Sequence, residues 1–367
     1  MSKFKSIFGE YASNLQLVID SKLNSFAPTW YPKYFGWSPT QQSLTFQSAI
    51  GRARIEAMAS IVNRDSTTPL RSRQGLEKLS GEIPAIKEMF KMQESDYREF
   101  LSLQNMPVDD NTKRIQLLDF LFGDVKKVGD AAHKRLDAMA LEAISTGYIT
   151  VTVGNNPDGL VLTSAVPLGM PTENFVQGAA TWANPTTATP ITDIETINQL
   201  AFEKGIGLEK ILMSMALFRK FKKCKEVLDT LQAFYYSSKP GGSFNPVAIT
   251  ALDKVNESLQ AQGLPYIEIV NEATGIEKDG SITVFRAFNE NNAVFVPGGQ
   301  LGTIKNALAI EQFRPVTQVG YGNYNRAVIS KWSENEPFGE WTKVELNAFP
   351  AVEAIDSMFI LTAVFGS

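Results

Sequence analysis

Apolar residues recur every three or four positions at Ile115, Leu118, Leu121, Phe122, Val125, Val128, Ala132, Leu136, Met139, Ala143 and Ile144. This spacing lines one side of a 3.6-residue helix and predicts a helix over 109–147. Asp109, Asp110 or Asn111 can cap its start, and Gly147 can close it in a left-handed conformation. At 1.5 Å per residue the helix runs about 54 Å, longer than most globular helices, which suggests a strut. Gly123 and Gly129 weaken it by roughly 1 kcal/mol each relative to alanine, so a bend is expected there.

Other stretches carry the two-residue period. Leu44, Phe46 and Ser48 alternate as in a strand, and 63–69 with Arg71-Ser72-Arg73-Gln74-Gly75 is turn-forming. Two long strands joined by a mobile tip are therefore expected. A helix should follow from about Pro84, with Ile86, Met89, Phe90, Tyr97 and Leu101 inside. After the long helix come two strand-like segments, YITVTV and GLVLTSAV. Beyond Pro190 the pattern predicts helices at 193–203, 208–220, 223–236 and 246–262, and strands at 266–271, 282–287 and 293–296. The apolar run 357–365 reads as a strand closing a sheet in the core. The fold class is α+β, with no internal repeat at a period of 20 to 50 residues.

The N-terminal stretch fits neither period. Trp30, Tyr31, Tyr34, Phe35 and Trp37 stand between Pro28, Pro32 and Pro39, and prolines that frequent exclude a regular helix. Such an aromatic arm either docks on a neighbour or folds back on its own core.

Length adds one constraint: 367 residues exceed what one core usually holds, so two or more domains are expected. The 44% hydrophobic and 20% charged content fits a globular chain and decides nothing further. A formal charge of −4 argues against a protein built to grip nucleic acid, which needs a concentrated basic face. One cysteine, Cys224, excludes an internal disulfide and a multi-cysteine zinc site, and points to a reducing cytoplasm. The first sixteen residues show no signal-peptide core or long apolar run, so neither secretion nor a membrane role is expected.

Candidate chemistry is sparse. His133 is the sole histidine, so any Ser-His-Asp or Cys-His relay would have to use it; mid-helix, it reads as a surface or interface residue. Two-histidine metal sites are excluded, and no DxDxDG calcium loop occurs. The glycine-rich pieces 239–243 and 295–303 lack the order of a phosphate loop and read as tight turns. No catalytic, cofactor-binding or metal residue is assigned, and no cofactor is expected. Arg52, Arg54, Arg64, Arg71, Arg73 and Lys78 form either a solvated face or a set of partners for a neighbour's carboxylates. The run has no interleaved aromatics to stack on bases.

One stretch carries a family pattern. In residues 174–218 the order Asn174-Phe175, Gly178, Trp182, Pro185, Pro190-Ile191, Asp193-Ile194, Gly205, Met213-Ser214 and Phe218 runs from a strand through a Trp-centred turn into two helices. It resembles the major capsid proteins of tailed bacteriophages, lambda-like group, most closely over 110–225 and 293–303. The resemblance implies an N-terminal arm (1–45), an extended hairpin loop (46–104), a peripheral domain with a long spine helix (105–190), an axial domain (191–335) and a return strand to the peripheral domain (336–367). It implies a structural subunit, assembled in the host cytoplasm into pentamers and hexamers of the virion head, enclosing DNA without sequence-specific binding. A separate scaffolding protein, a portal and in some members a decoration protein would be partners. Trp30, Tyr34, Trp37, Arg64, Arg71 and Arg73 are the intersubunit contacts expected on this basis. The alternatives are an encapsulin-type cellular shell and, in a different class, a cytosolic enzyme using carboxylates.

Overall fold

The computed structural model describes residues 14–50, 77–105, 109–236, 250–278, 280–336 and 338–366. Its first half consists of helix α1 (Leu15–Ser21), strands β1 (Phe35–Trp37), β2 (Thr45–Ile50), β3 (Glu77–Glu82) and β4 (Ala85–Met92), and helices α2 (Glu94–Gln104) and α3 (Asp110–Thr146). Helix α3 is the predicted strut. Asp109 accepts from Thr112 N at 2.9 Å, and Gly147, at φ 75°, donates to Ala143 O at 3.0 Å. Its 37 residues span about 56 Å and run helical through both glycines. Gly129 is there for packing: a Cβ would stand 2.8 Å from Phe26, whose ring stacks on Tyr324 at 3.7 Å.

Short strands β5 (Tyr148–Ile149), β6 (Val166–Pro167) and β7 (Phe175–Gln177) follow, then α4 (Pro190–Glu203), β8 (Lys210–Ser214), α5 (Met215–Phe221), α6 (Lys225–Tyr236) and α7 (Leu252–Ala261). The remaining strands are β9 (Tyr266–Val270), β10 (Thr274–Lys278), β11 (Ser281–Phe285), β12 (Asn292–Val296) and β13 (Gly302–Ala307). After helix α8 (Ile310–Phe313) come β14 (Gly320–Tyr324), β15 (Ala327–Asn335), β16 (Phe338–Val352) and β17 (Phe359–Thr362).

Two sheets make two cores. The first, in the order β1-β13-β16-β15-β14 with β4 paired to β16, packs on α3 around residues such as Leu136, Ile144, Ile304 and Leu346. The second, β7-β17-β12-β8-β9, packs with α4 to α7 around Trp182, Ile194, Phe221, Phe295 and Phe359. In it β8 and β9 are parallel, whereas β12 runs antiparallel to β8 and β17.

Several expectations are corrected. Residues 85–92 form a strand, not the start of a helix: Ile86, Phe90 and Met92 share one face at period two, and Met89 points the other way, half exposed. Lys210–Ser214 is likewise a fully ladder-bonded strand and only Met215–Phe221 is helical, because a short apolar run fits either element and pairing decided it. The segment after α3 keeps only two two-residue strands.

The segment boundaries shift too. Strand β4 belongs to the first sheet, not to the hairpin loop, and β13 to β15 belong there as well, although all three lie within 191–335. Within the segment 336–367, β16 joins the first sheet and packs on α3, whereas the last strand, β17, pairs between β12 and β7 in the second sheet. Linear order cannot reveal these exchanges: β16, with 15 residues, pairs not only with its hairpin neighbour β15 but also with β13 and with β4, which comes from a distant part of the chain.

Candidate functional site

The N-terminal aromatic segment is strapped to its own subunit. Asp130, His133, Lys134 and Asp137 recur at helical spacing and so share a face of α3. Asp130 accepts from Ala27 N, and Asp137 from both Trp30 N and Tyr31 N, each at 2.8 Å; Lys134 Nζ donates to Pro28 O at 3.2 Å. Tyr34 Oη donates to Glu268 Oε1 at 2.9 Å, and Lys33 Nζ reaches the same oxygen at 2.6 Å. Strand β1 then continues the first sheet beside β13.

The β14–β15 turn locks the strap from the other side. Asn325 and Arg326 both take positive φ, 42° and 71°, as a two-residue hairpin turn requires, although neither is glycine. Asn325 donates to Tyr31 Oη at 2.6 Å, and Arg326 bonds Thr40 and Asn306 while covering the Trp37 ring at 5.3 Å. Trp30 and Tyr34 are thus buried in their own subunit and Trp37 is half covered by its own Arg326. Within the subunit the Trp30 and Tyr34 rings lie 5.2 Å apart, and contact of the three with a neighbour stands as the proposal that the family resemblance makes.

His133 is also not the surface residue expected, being 1% exposed beneath the strap. Its Nδ1 lies 3.2 Å from Tyr31 Oη and its Nε2 3.5 Å from Tyr324 O; with Tyr31 already accepting from Asn325, the network assigns the proton to Nε2. Burial pulls its pKa down to about 4, so it is a neutral structural imidazole at pH 7. Burial acts oppositely on Asp137, pushing its carboxyl up to about 6 against the pull of the Tyr31 and Trp30 amides.

The ribbon of β2 and β3 differs. Phe46, Ser48 and Leu79 face the body, where Phe46 meets Phe349 at 5.2 Å and Ser48 donates to Glu353 at 2.6 Å. Thr45, Gln47 and Ser80 are exposed on the other face. The six residue pairs from Thr45–Glu82 to Ile50–Glu77 form a two-stranded sheet of their own. Arg64, Arg71 and Arg73 fall outside the described residues.

A groove of about 480 Å³ opens where the parallel strands β8 and β9 end, lined by Ser214, Arg219, Glu272, Arg286, Phe288 and Glu290 among others. Its hydroxyl is committed: Ser214 Oγ accepts from Leu217 N at 3.0 Å as the cap of α5. The groove therefore offers paired charges but no activated nucleophile. The second core, by contrast, explains the sequence pattern around Trp182. Asp193 accepts from Trp182 Nε1 at 2.9 Å and from Ala179 N at 3.0 Å, fixing the turn on the start of α4, and a Cβ on Gly178 would stand 2.9 Å from the same carboxylate.

The sequence profile of the family described as phage major capsid protein E matches residues 44–363, spanning the ribbon, the strut and both sheets. This chain belongs to the phage major capsid protein E family. No curated protein sequence matches it. Among solved structures, the chain is similar to a protein assigned as the capsid protein of a prophage in E. coli CFT073, at 14% identity and TM-score 0.55, with 94% of this chain and 97% of that one covered. It is also similar to a phage-related protein of Bordetella bronchiseptica RB50, at 10% identity and TM-score 0.51, covering 95% and 97%. At such identities these structures show a shared fold only. As a phage major capsid protein, the chain is a structural subunit of the virion shell and self-associates. Among the described residues no helix is long and apolar enough to cross a membrane.

Basic residues at 219–225 escaped the sequence reading, which singled out only the run from Arg52 to Lys78. Five cations in seven positions were the available signal.

Proposed function

We propose that this capsid subunit closes into pentamers and hexamers of an icosahedral head around phage DNA, with the β2–β3 ribbon and residues 51–76 reaching a neighbouring subunit. The observation that carries this reading is the ribbon's construction. A two-stranded sheet is marginal alone, and this one is anchored by one face at its root while the other face stays exposed. Arg64, Arg71 and Arg73 lie within the segment so placed and would pair with a neighbour's carboxylates. Head-to-tail contacts that close by rotation produce rings from one sequence, and shell interfaces of this permanent kind bury on the order of 2,000–5,000 Å². The same reading supplies the partners: a separate scaffolding protein, a portal at one vertex and, in some shells of this type, a decoration protein, with assembly in the host cytoplasm.

Negative-stain electron microscopy of the purified protein tests the reading. Closed shells or capsomer rings are expected; a protein that stays monomeric across salt and concentration would contradict it.

A further inference from the structure

The segment Phe218–Val227 sorts its residues by a strict inside-outside rule. Phe218, Phe221, Cys224 and Val227 are buried in the second core, at 5%, 0%, 0% and 0% exposure. The intervening Arg219, Lys220, Lys222, Lys223 and Lys225 all lie outside it, Arg219, Lys223 and Lys225 exposed and the other two partly so. The turn between α5 and α6 is fixed, since Cys224 N donates to Phe221 O and Lys225 N to Pro185 O at 2.8 Å. Five cations are thereby kept outside the second core around a hydrogen-bonded turn, with Arg219 among the residues that line the groove.

None of the five forms an ion pair among the described residues, and the nearest carboxylate in sequence is already occupied. Glu226 accepts from Ile191 N at 2.7 Å and from Thr192 Oγ1 at 2.6 Å, at the start of α4. The C-terminal dipole of α5 favours a cation or two at this end but accounts for no more than that. With a whole-chain charge of −4, setting these five aside leaves −9 on the rest of the subunit. The rest of the chain therefore carries a net charge opposite in sign to that of the patch.

We infer that the Arg219–Lys225 corner is a docking surface for an acidic face of a second copy of this chain. The inference rests on the shell-subunit reading and adds a location and a sign to one of its contacts. A cationic corner against an acidic surface is a head-to-tail contact, the kind that closes into rings, and its charge pattern steers approach and fixes register. Lysine, a compact charge on a flexible stem, suits a contact that must adapt between ring environments. Nucleic acid is less well matched, because the flanking aromatics Phe218 and Phe221 are buried and cannot stack on bases.

Two measurements test it together. Full-length protein carrying Lys222→Glu, Lys223→Glu and Lys225→Glu should keep its circular dichroism and thermal transition, yet yield particles reduced at least about tenfold, a difference of about 1.4 kcal/mol per contact equilibrium. Wild-type particles treated with a carbodiimide, which joins amines to carboxylates in contact, should give links from the 219–225 peptides to acidic peptides; mixing isotopically light and heavy subunits shows that the links join two copies. Wild-type particle yield from the triple variant, or an absence of such links in particles that cross-link elsewhere, overturns the inference while leaving the shell reading intact. If instead the variant assembles normally and loses binding of the free subunit to a short DNA duplex, the corner is a nucleic-acid surface and the inference also fails. Wild-type protein that forms no particles at all would defeat the shell reading itself.

Discussion

The strap over α3 and the β2–β3 ribbon lie next to each other in sequence, and both were expected to serve neighbours. Their structures separate them. The strap's backbone amides at Ala27, Trp30 and Tyr31 are bonded by carboxylates of its own strut, and its aromatic rings are buried or covered from within. The ribbon keeps Thr45, Gln47 and Ser80 exposed and meets the body through Phe46, Ser48 and Leu79. What separates the two is how far each is buried within its own chain.

The largest expected effect comes from cutting the strap. Trp30→Ala should cost the dissociated subunit about 3–5 kcal/mol in urea unfolding, as for other buried large-to-small changes. Gln47→Ala on the ribbon should stay within about 0.5 kcal/mol. A Trp30→Ala subunit of wild-type stability that fails only in assembly would reverse the assignment.

Acid sharpens the comparison through two groups beneath the strap with opposite shifts. His133 has a folded pKa of about 4 against an ordinary 6.5, so its contribution is complete above pH 6.5 and is lost as pH falls through 4. Asp137 has a folded pKa of about 6 against 3.8, so its contribution is complete below pH 3.8 and is lost as pH rises through 6. Each spans about 3 kcal/mol at full extent, and the two nearly cancel between pH 4 and 6.5. Relative to wild type, His133→Gln should gain stability on acidification over this range and Asp137→Asn should lose it. Parallel pH profiles for both variants would show that these groups do not titrate as their burial implies.

Smaller effects than those of the strap come from the strut's two glycines. Gly123 has open space where a Cβ would go, and Gly123→Ala should stabilise by about 1 kcal/mol through helix propensity alone. Gly129 lies under Phe26, so Gly129→Ala should destabilise by about 1–3 kcal/mol despite the same propensity gain. Equal shifts in thermal midpoint would mean that the strap does not press on the helix there.

Much of the strut was legible because periodicity and both caps are local properties: Asp109 and Gly147 took the roles their chemistry predicts. The family resemblance was legible for a related reason, since Ala179, Trp182 and Asp193 form one hydrogen-bonded turn beside Gly178 within twenty residues. Short apolar runs were not legible. Ala85–Met92 and Lys210–Ser214 could be helix or strand until distant strands paired with them. Nor could the sequence show that the strap's destination lay across more than a hundred residues, on Asp137. The basic corner at 219–225 was readable in principle; it requires asking which side of a helix each lysine occupies.

Assembly of a chain in which residues 51–76 are replaced by a short Gly/Ser linker tests the central claim most directly. The strap, the strut and both sheets remain in that chain, so circular dichroism should show one cooperative transition close to that of the full subunit. Sedimentation velocity under shell-forming conditions should show single subunits or isolated rings, because the linker removes the part proposed to reach a neighbour. Closed shells sedimenting like those of the full chain would contradict the account, as would loss of the cooperative transition, which would place the segment in the subunit's own core.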